Sequence, residues 1–406
     1  MAVAQTGTRL WRVLGWLVVG GAAMANLLNV ALRPDAFQWD LKPFYYAERA
    51  FAQGLDPYTL DSLHTAGAEP SMLFAFRYPL ATLALWWPLA GLDYVTAYYL
   101  WLAAKLGALV ALIWLWRKHF VPEVDPLLLG ALLVFGFNGA LCEDLRAGNK
   151  IPFEQLAIWA GLVCFLRGRY AWFAVLVALA AVFNLLPALL LGLLLFVPGR
   201  LSCRLGAMGL GLAVLAILVL GPYARYPELL PSYLGSISGV REVGSINPCA
   251  LALLDDLPER FGRAQFLVRT PWLIPAIWGV YFAAIVGFGL RALRRFANRG
   301  DRYGLVMVAL ITYALAVPRF KDYAYVLLLL PALWAIRSLP RAETYPVLAG
   351  LAVGYPGPHN LGVSRTVGKL ISAYWSWLLV LGMWLAVVTG AIAPAEPETA
   401  SEEVPS

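Results

Sequence analysis

The sequence predicts an all-α, polytopic transmembrane protein of about twelve spans, and three observations predict it. Hydrophobic residues make up 61% of the 406 residues and charged residues 14%, where a soluble domain carries about 25% charged residues. Apolar runs near bilayer length recur along the whole chain, separated by polar joints. The basic residues concentrate in those joints, at Arg117-Lys118, Arg167 and Arg169, Arg291, Arg294 and Arg295, and Arg299 and Arg302. Such joints mark cytoplasmic loops, because Lys and Arg resist translocation. The net charge of +7 is thus a topology signal and not a nucleic-acid one.

The first span is 11–33. Arg9, Arg12 and Ala23-Met24-Ala25 imitate a cleavable leader. The apolar stretch nevertheless runs to Leu32, so an uncleaved helix with a cytoplasmic N-terminus is expected. That puts the polar segment 34–77 outside. Within it, Pro43 and Gly54 bracket a helix of about eleven residues. Phe44, Ala47 and Phe51, with Tyr45 and Tyr46, give this helix an aromatic face; Glu48, Arg49 and Gln53 give it a polar one. A helix of that kind lies in the membrane interface. Gly54-Leu55-Asp56-Pro57-Tyr58 then turns the chain, and Phe76-Arg77-Tyr78-Pro79 takes it back into the membrane.

The further spans expected are 78–92, 94–116, 126–142, 152–166, 171–197, 205–221, 272–290, 303–317, 323–337, 345–356 and 371–392. Segment 222–271 forms a second outer loop. Two local arrangements are open. In one, 171–197 is a single helix; in the other, 78–116 crosses once, net, and 171–197 folds as a hairpin broken at Asn184-Leu185-Leu186-Pro187, which satisfies the basic joints at Arg117-Lys118 and Arg167-Gly168-Arg169. Both leave 34–77 outside. Residues 1–392 are expected to form one transmembrane domain, and 393–406 an acidic, disordered cytoplasmic tail.

Chemistry-bearing residues are sparse. Cys142, Cys164, Cys203 and Cys249 have no metal-ligand spacing and no disulfide framework, and three histidines make a poor zinc site. No Asp-x-Asp occurs in the outer loops; a metal bridged by Asp40 and Asp56 or Asp61 stays open. Asp40 precedes a Pro-containing first turn, where an acid commonly caps free N–H groups. It also follows the first span directly, with Trp39, Tyr45 and Tyr46 to shelter a general base. A cap and a base are not exclusive. Lys105 lies mid-span and needs a polar cavity or a partner. Asn26, Asn29, Asn138 and Asn184 are expected to bond between helices, and Glu143, Asp144 and Arg146 form a loop cluster with no catalytic assignment.

Asp40, Tyr45-Tyr46-Ala47, Ala50, Gly54, Asp56-Pro57-Tyr58 and Arg77-Tyr78-Pro79, taken in order, resemble glycosyltransferase family 87. The resemblance is specific over about 37–80 and diffuse, in the right order, elsewhere. It implies a GT-C-like fold and a polyprenyl-phosphate-dependent mannosyl- or arabinofuranosyltransferase, with Asp40 as its base. Departures occur. Leu80 follows Pro79, Gly148-Asn149 stands for a longer Gly-Gln-x-Asn element, Asn184 to Pro187 replaces a Lys-Pro, and Pro318-Arg319-Phe320-Lys321-Asp322-Tyr323 replaces a Pro … His-Tyr element.

A polyprenyl phosphate is a good leaving group, so one carboxylate and a few cations suffice for inverting displacement, without a cofactor. Lys321, Arg319 and Arg77 are the candidates for the donor phosphate. Tyr45, Tyr46, Asn247 and Arg241 are the candidates for sugar or acceptor contacts. The expected partners are a polyprenyl-phosphate sugar, a glycolipid or glycan acceptor and the lipid bilayer, with no nucleic acid. The expected location is the inner, or plasma, membrane, with the site on the extracytoplasmic side and both termini in the cytoplasm. The rival reading is a lipid or polyprenyl-sugar transporter or flippase. Such proteins often show paired inverted halves, and none is apparent here.

Overall fold

Every regular element among the described residues is helical, and no strand occurs among them. The computed structural model describes residues 2–72, 74–237, 242–262, 270, 272–339, 350–351 and 365–394. The acidic stretch from 395 onward and most of the expected span 345–356 lie outside the described residues. Two units form: Met1–Leu191 with Gly206–Glu242 and Asp322–Val326, and Gly192–Leu205 with Val243–Lys321 and Leu327–Ser406.

The first unit is built on α1 (Ala2–Leu32), α2 (Leu41–Ala52), α3 (Leu60–Thr65), α4 (Trp87–Ala90), α5 (Tyr94–His119), α6 (Pro126–Ala147), α7 (Ile151–Leu166) and α8 (Tyr170–Phe183). Most of α9 (Leu201–Arg225) and α10 (Leu229–Ile237) belong to it too. Local chemistry explains the long helices. The Asp93 side chain caps α5 by accepting from the Thr96 amide at 3.0 Å, and Arg117, Lys118 and His119 occupy its last turn. Those charges complement both ends of the helix dipole. In α6, Pro126 opens the first turn and Asp125 accepts from the Leu127 amide at 2.8 Å. Its middle is broken: Phe137, Asn138 and Gly139 adopt left-handed backbone with φ of 51°, 60° and 73°.

Segment 78–92 differs from the expected span. It forms a 3-10 helix, Leu80–Leu85, followed by the four-residue α4, and neither is long enough to cross a bilayer. Segment 171–197 breaks where the Asn-to-Pro stretch stands. Asn184 is extended and its Oδ1 accepts from the Leu186 amide at 3.4 Å, after which the chain continues as a 3-10 helix, Leu186–Phe196. The segment is therefore not one continuous α-helix, and the break falls at the Asn184-to-Pro187 stretch.

Helix α2 also departs from the expected pattern. Seven of its twelve residues are buried, including Glu48, which the sequence places on the polar face. Glu48 lies one helical turn after Phe44 and shares its face, and that face is packed: Phe44 stacks on Trp86 at 4.0 Å and on Tyr78 at 4.6 Å, and meets Phe76 edge-on at 5.7 Å.

In the second unit stand α11 (Ala250–Arg260), α12 (Leu273–Asn298), α13 (Arg302–Ala316), α14 (Leu329–Ser338), α15 (Arg365–Ala373) and α16 (Trp375–Thr389). Helix α13 is buried from Gly304 to Ala316 and packs against α12, α14 and α16. Asp301 caps it by accepting from the Gly304 amide at 2.7 Å. Among the described residues, five helices are long and apolar enough to cross a membrane: Arg9–Leu32 of α1, α5, α6, α9 and α12. The pair Val367–Ala373 and Trp375–Thr389, bent by 70°, supplies a sixth if it counts as one span. Four more apolar helices, Ile151–Leu166, Tyr170–Phe183, Leu186–Phe196 and Arg302–Ala316, are shorter.

Candidate active site

The site grows from the end of α6. A helix leaves its last carbonyls without intrahelical partners, and here the loop that carries Asp40 takes two of them. The Gln38 amide donates to the Arg146 carbonyl at 2.6 Å and the Asp40 amide donates to the Ala147 carbonyl at 2.8 Å. The approach needs Gly148, whose φ is 74° and whose added Cβ would lie 2.5 Å from the Gln38 Cβ. Trp101 fixes the same turn from α5 by donating Nε1–H to the Gly148 carbonyl at 2.8 Å.

Asp40 occupies the N-cap position of α2, yet its side chain makes no capping hydrogen bond. Its carboxylate turns to the α6–α7 junction instead, where Oδ2 accepts from Asn149 Nδ2 at 2.7 Å. Asn149 Nδ2 also donates to the Tyr323 hydroxyl at 3.1 Å, and Asn149 Oδ1 accepts from the Lys150 amide at 2.8 Å. Lys150 Nζ lies 3.3 Å from Glu154 Oε2, 3.5 Å from Asn149 Oδ1 and 4.7 Å from the centre of the Tyr78 ring. Asn149, Lys150 and Glu154 are buried, whereas Asp40 is half-buried and so accessible to a substrate hydroxyl.

Two buried lysines flank this junction, each paired with its own carboxylate. Burial works against the charge on Lys150, but Tyr78, Glu154 and Asp40 outweigh it and raise its pKa above the ordinary lysine value. Lys105, wholly buried, pairs with Asp144 Oδ2 at 3.0 Å and donates to the Asp144 carbonyl at 2.6 Å. The partner that a mid-span lysine requires is thus a residue of the Glu143-Asp144-Arg146 cluster. The Asp40 charge is felt at Lys105, Asp144 and Lys150 alike. Farther along α2, burial pushes the Glu48 carboxyl up to about 7.

The other expected residues are distributed as follows. Tyr45 is buried, donating its hydroxyl to the Leu92 carbonyl at 2.6 Å and accepting from Arg49 at 2.8 Å. Tyr46 is buried in a stacked arrangement with Tyr94. Arg77 is half-buried, its guanidinium 5.9 Å from the centre of the Phe74 ring. Arg319, Lys321 and Asn247 belong to the second unit. There Asn247 Oδ1 accepts from the Phe320 amide at 2.9 Å, and Cys249 Sγ donates to the Pro318 carbonyl at 3.1 Å, so this pair holds the 318–321 segment. Arg241 lies outside the described residues. Among the described residues, no three His, Cys, Asp or Glu side chains converge as a metal site.

Lys150 and Glu154 escape the sequence reading, although a Lys and a Glu four residues apart at the mouth of an apolar run carried a signal. Tyr323, in the Asp322–Val326 segment, is marked only as the end of the element that stands for the family's Pro … His-Tyr, with no role assigned to it.

The arrangement has two parts for proton abstraction: an accessible carboxylate and an amide fixing one of its oxygens. The model for glycosyltransferase family 87 matches residues 76–318, which include the Asn149, Lys150 and Glu154 part of the constellation. No curated protein and no solved structure matches the chain. The match covers more than half of the chain, and with it this all-helical membrane protein belongs to glycosyltransferase family 87.

Proposed function

We propose that this glycosyltransferase moves one sugar, mannose or arabinofuranose, from a polyprenyl-phosphate donor to a glycolipid or glycan acceptor at the extracytoplasmic face of the cell's inner membrane. The observation that carries the reading is the Asp40 carboxylate, half-buried and held through one oxygen by Asn149 at 2.7 Å. A general base must be accessible to the hydroxyl it deprotonates and fixed in direction. In the reaction, Asp40 takes the proton of the acceptor hydroxyl as its oxygen bonds to the anomeric carbon. The bond from that carbon to the phosphate oxygen breaks, and polyprenyl phosphate departs with the electron pair. The sugar is transferred with inversion.

The departing phosphate needs positive charge more than it needs a proton. Arg77, Arg319 and Lys321 are the cations proposed for it on the sequence argument. Multi-pass insertion, with cytoplasmic termini, follows from the basic joints and is part of the same proposal.

The test supplies membranes containing the protein with labelled polyprenyl-phosphate mannose or polyprenyl-phosphate arabinose and follows the label into lipid products. Transfer from one of the two is expected. Label that changes leaflet without forming a new glycosidic bond would identify a transporter and overturn the reading.

A further inference from the structure

We propose that Asn149 is a positioning residue: it fixes the Asp40 carboxylate and so selects which oxygen receives the acceptor's proton. The inference rests on the reading of Asp40 as the base. Asn149 is fully buried and its carboxamide is committed at both ends. On one side Oδ1 accepts from the Lys150 amide at 2.8 Å and faces Lys150 Nζ at 3.5 Å. An oxygen between two donors settles the orientation of the amide, so its NH2 group must point the other way. There it meets two oxygens, Asp40 Oδ2 at 2.7 Å and the Tyr323 hydroxyl at 3.1 Å.

The same turn also fixes the Asp40 main chain, through the bond from its amide to the Ala147 carbonyl at 2.8 Å. Main chain and Oδ2 are held by consecutive parts of one rigid junction, which leaves Oδ1 to receive the proton. Lys150 in turn is braced by Glu154 at 3.3 Å and by the Tyr78 ring. The logic is that of a base whose orientation is set by a third group.

The charged groups that feel Asp40 include Lys105 from α5, Asp144 from α6 and Lys150 at the α7 start, with Tyr323 beside Asn149 and with Glu154 and Tyr78 beside Lys150. Variants at Asn149 leave all of them in place. Asn149→Asp keeps the shape and the acceptor for the Lys150 amide, but it sets a second carboxylate against Asp40. Two acids sharing one site hold a proton more tightly than one does.

The experiment uses the detergent-purified full chain and the labelled donor that the wild type accepts. Asn149→Asp is expected to lower kcat by about 10²-fold with KM nearly unchanged, and to move the acidic limb of the pH–rate profile to higher pH. Asn149→Ala is expected to lower kcat without that shift. A readout that needs no donor accompanies them: carbodiimide labelling of Asp40, located by peptide mass spectrometry, is expected to persist to higher pH in Asn149→Asp than in wild type. A folded Asn149→Asp protein with the wild-type pH–rate and labelling profiles overturns the proposal. If Asn149→Ala does not fold, the Asp variant decides; loss of fold in both assigns Asn149 a purely structural role and also overturns it. Wild-type transfer by Asp40→Asn would instead remove the base reading. Loss of transfer in Asp40→Asn beside normal kinetics in both Asn149 variants removes only the positioning role.

Discussion

Glu48 illustrates how one buried carboxyl couples this fold to pH. It lies on the face of α2 that the Phe44, Tyr78 and Trp86 cluster helps to close, and burial lifts its pKa from 4.5 to about 7. The folded protein therefore holds a proton that the unfolded chain releases between about pH 4.5 and 7. Stability falls as pH rises through that window and stays low above it. Glu48→Gln, which cannot ionise, is expected to raise the apparent melting temperature in detergent above pH 7 and to leave it unchanged below pH 5. The gain should be about 1–2 kcal/mol once solvent screening is allowed for. Identical melting of the two proteins at pH 8 would contradict this account. Residue type alone puts Glu48 with Arg49 and Gln53 on a polar face, whereas helical spacing sets it one turn after Phe44 and one turn before Phe51, on the apolar stripe that becomes buried.

At the scale of elements, the α6–α7 turn joins the helical scaffold to the Asp40 loop. Gly148→Ala places a Cβ 2.5 Å from the Gln38 Cβ at a φ of 74°. The left-handed backbone alone costs about 1–2 kcal/mol for a residue with a Cβ, and the collision must displace the Gln38–Asp40 segment. Gly148→Ala is expected to lose most transfer as well as stability. Gly54→Ala, at a φ of 75° but with open space around it, should pay only the backbone cost and keep its transfer activity. Equal transfer by the two variants would deny that the turn positions Asp40. The joint between α5 and α6 is held by charge. Lys105→Met strands Asp144 in a buried site, a change that typically costs about 3–5 kcal/mol. Lys105→Met combined with Asp144→Leu is expected to recover much of the loss in a thermal-melting assay. No recovery would show that the pair does more than balance itself.

Across the whole molecule, composition and apolar runs make the helical membrane class legible, because exclusion from water acts on every span independently. The break at Asn184-Leu185-Leu186-Pro187 is legible for the same local reason: an Asn and a Pro interrupt the helix ladder. Segment 78–92 misleads because hydropathy alone does not separate a spanning helix from short apolar helical turns of equal greasiness. The site is legible only where its chemistry is local. Asp40 stands out by its place after the first span, whereas its bond to Asn149 joins residues 109 apart in sequence and depends on how α6 ends. That bond replaces the cap that the local sequence suggests. The most direct test of the central claim is transfer of label from polyprenyl-phosphate mannose or arabinose by wild type and Asp40→Asn, at matched abundance and melting temperature. The account predicts a loss of at least about 10²-fold in kcat for Asp40→Asn; equal transfer by the two proteins would contradict it.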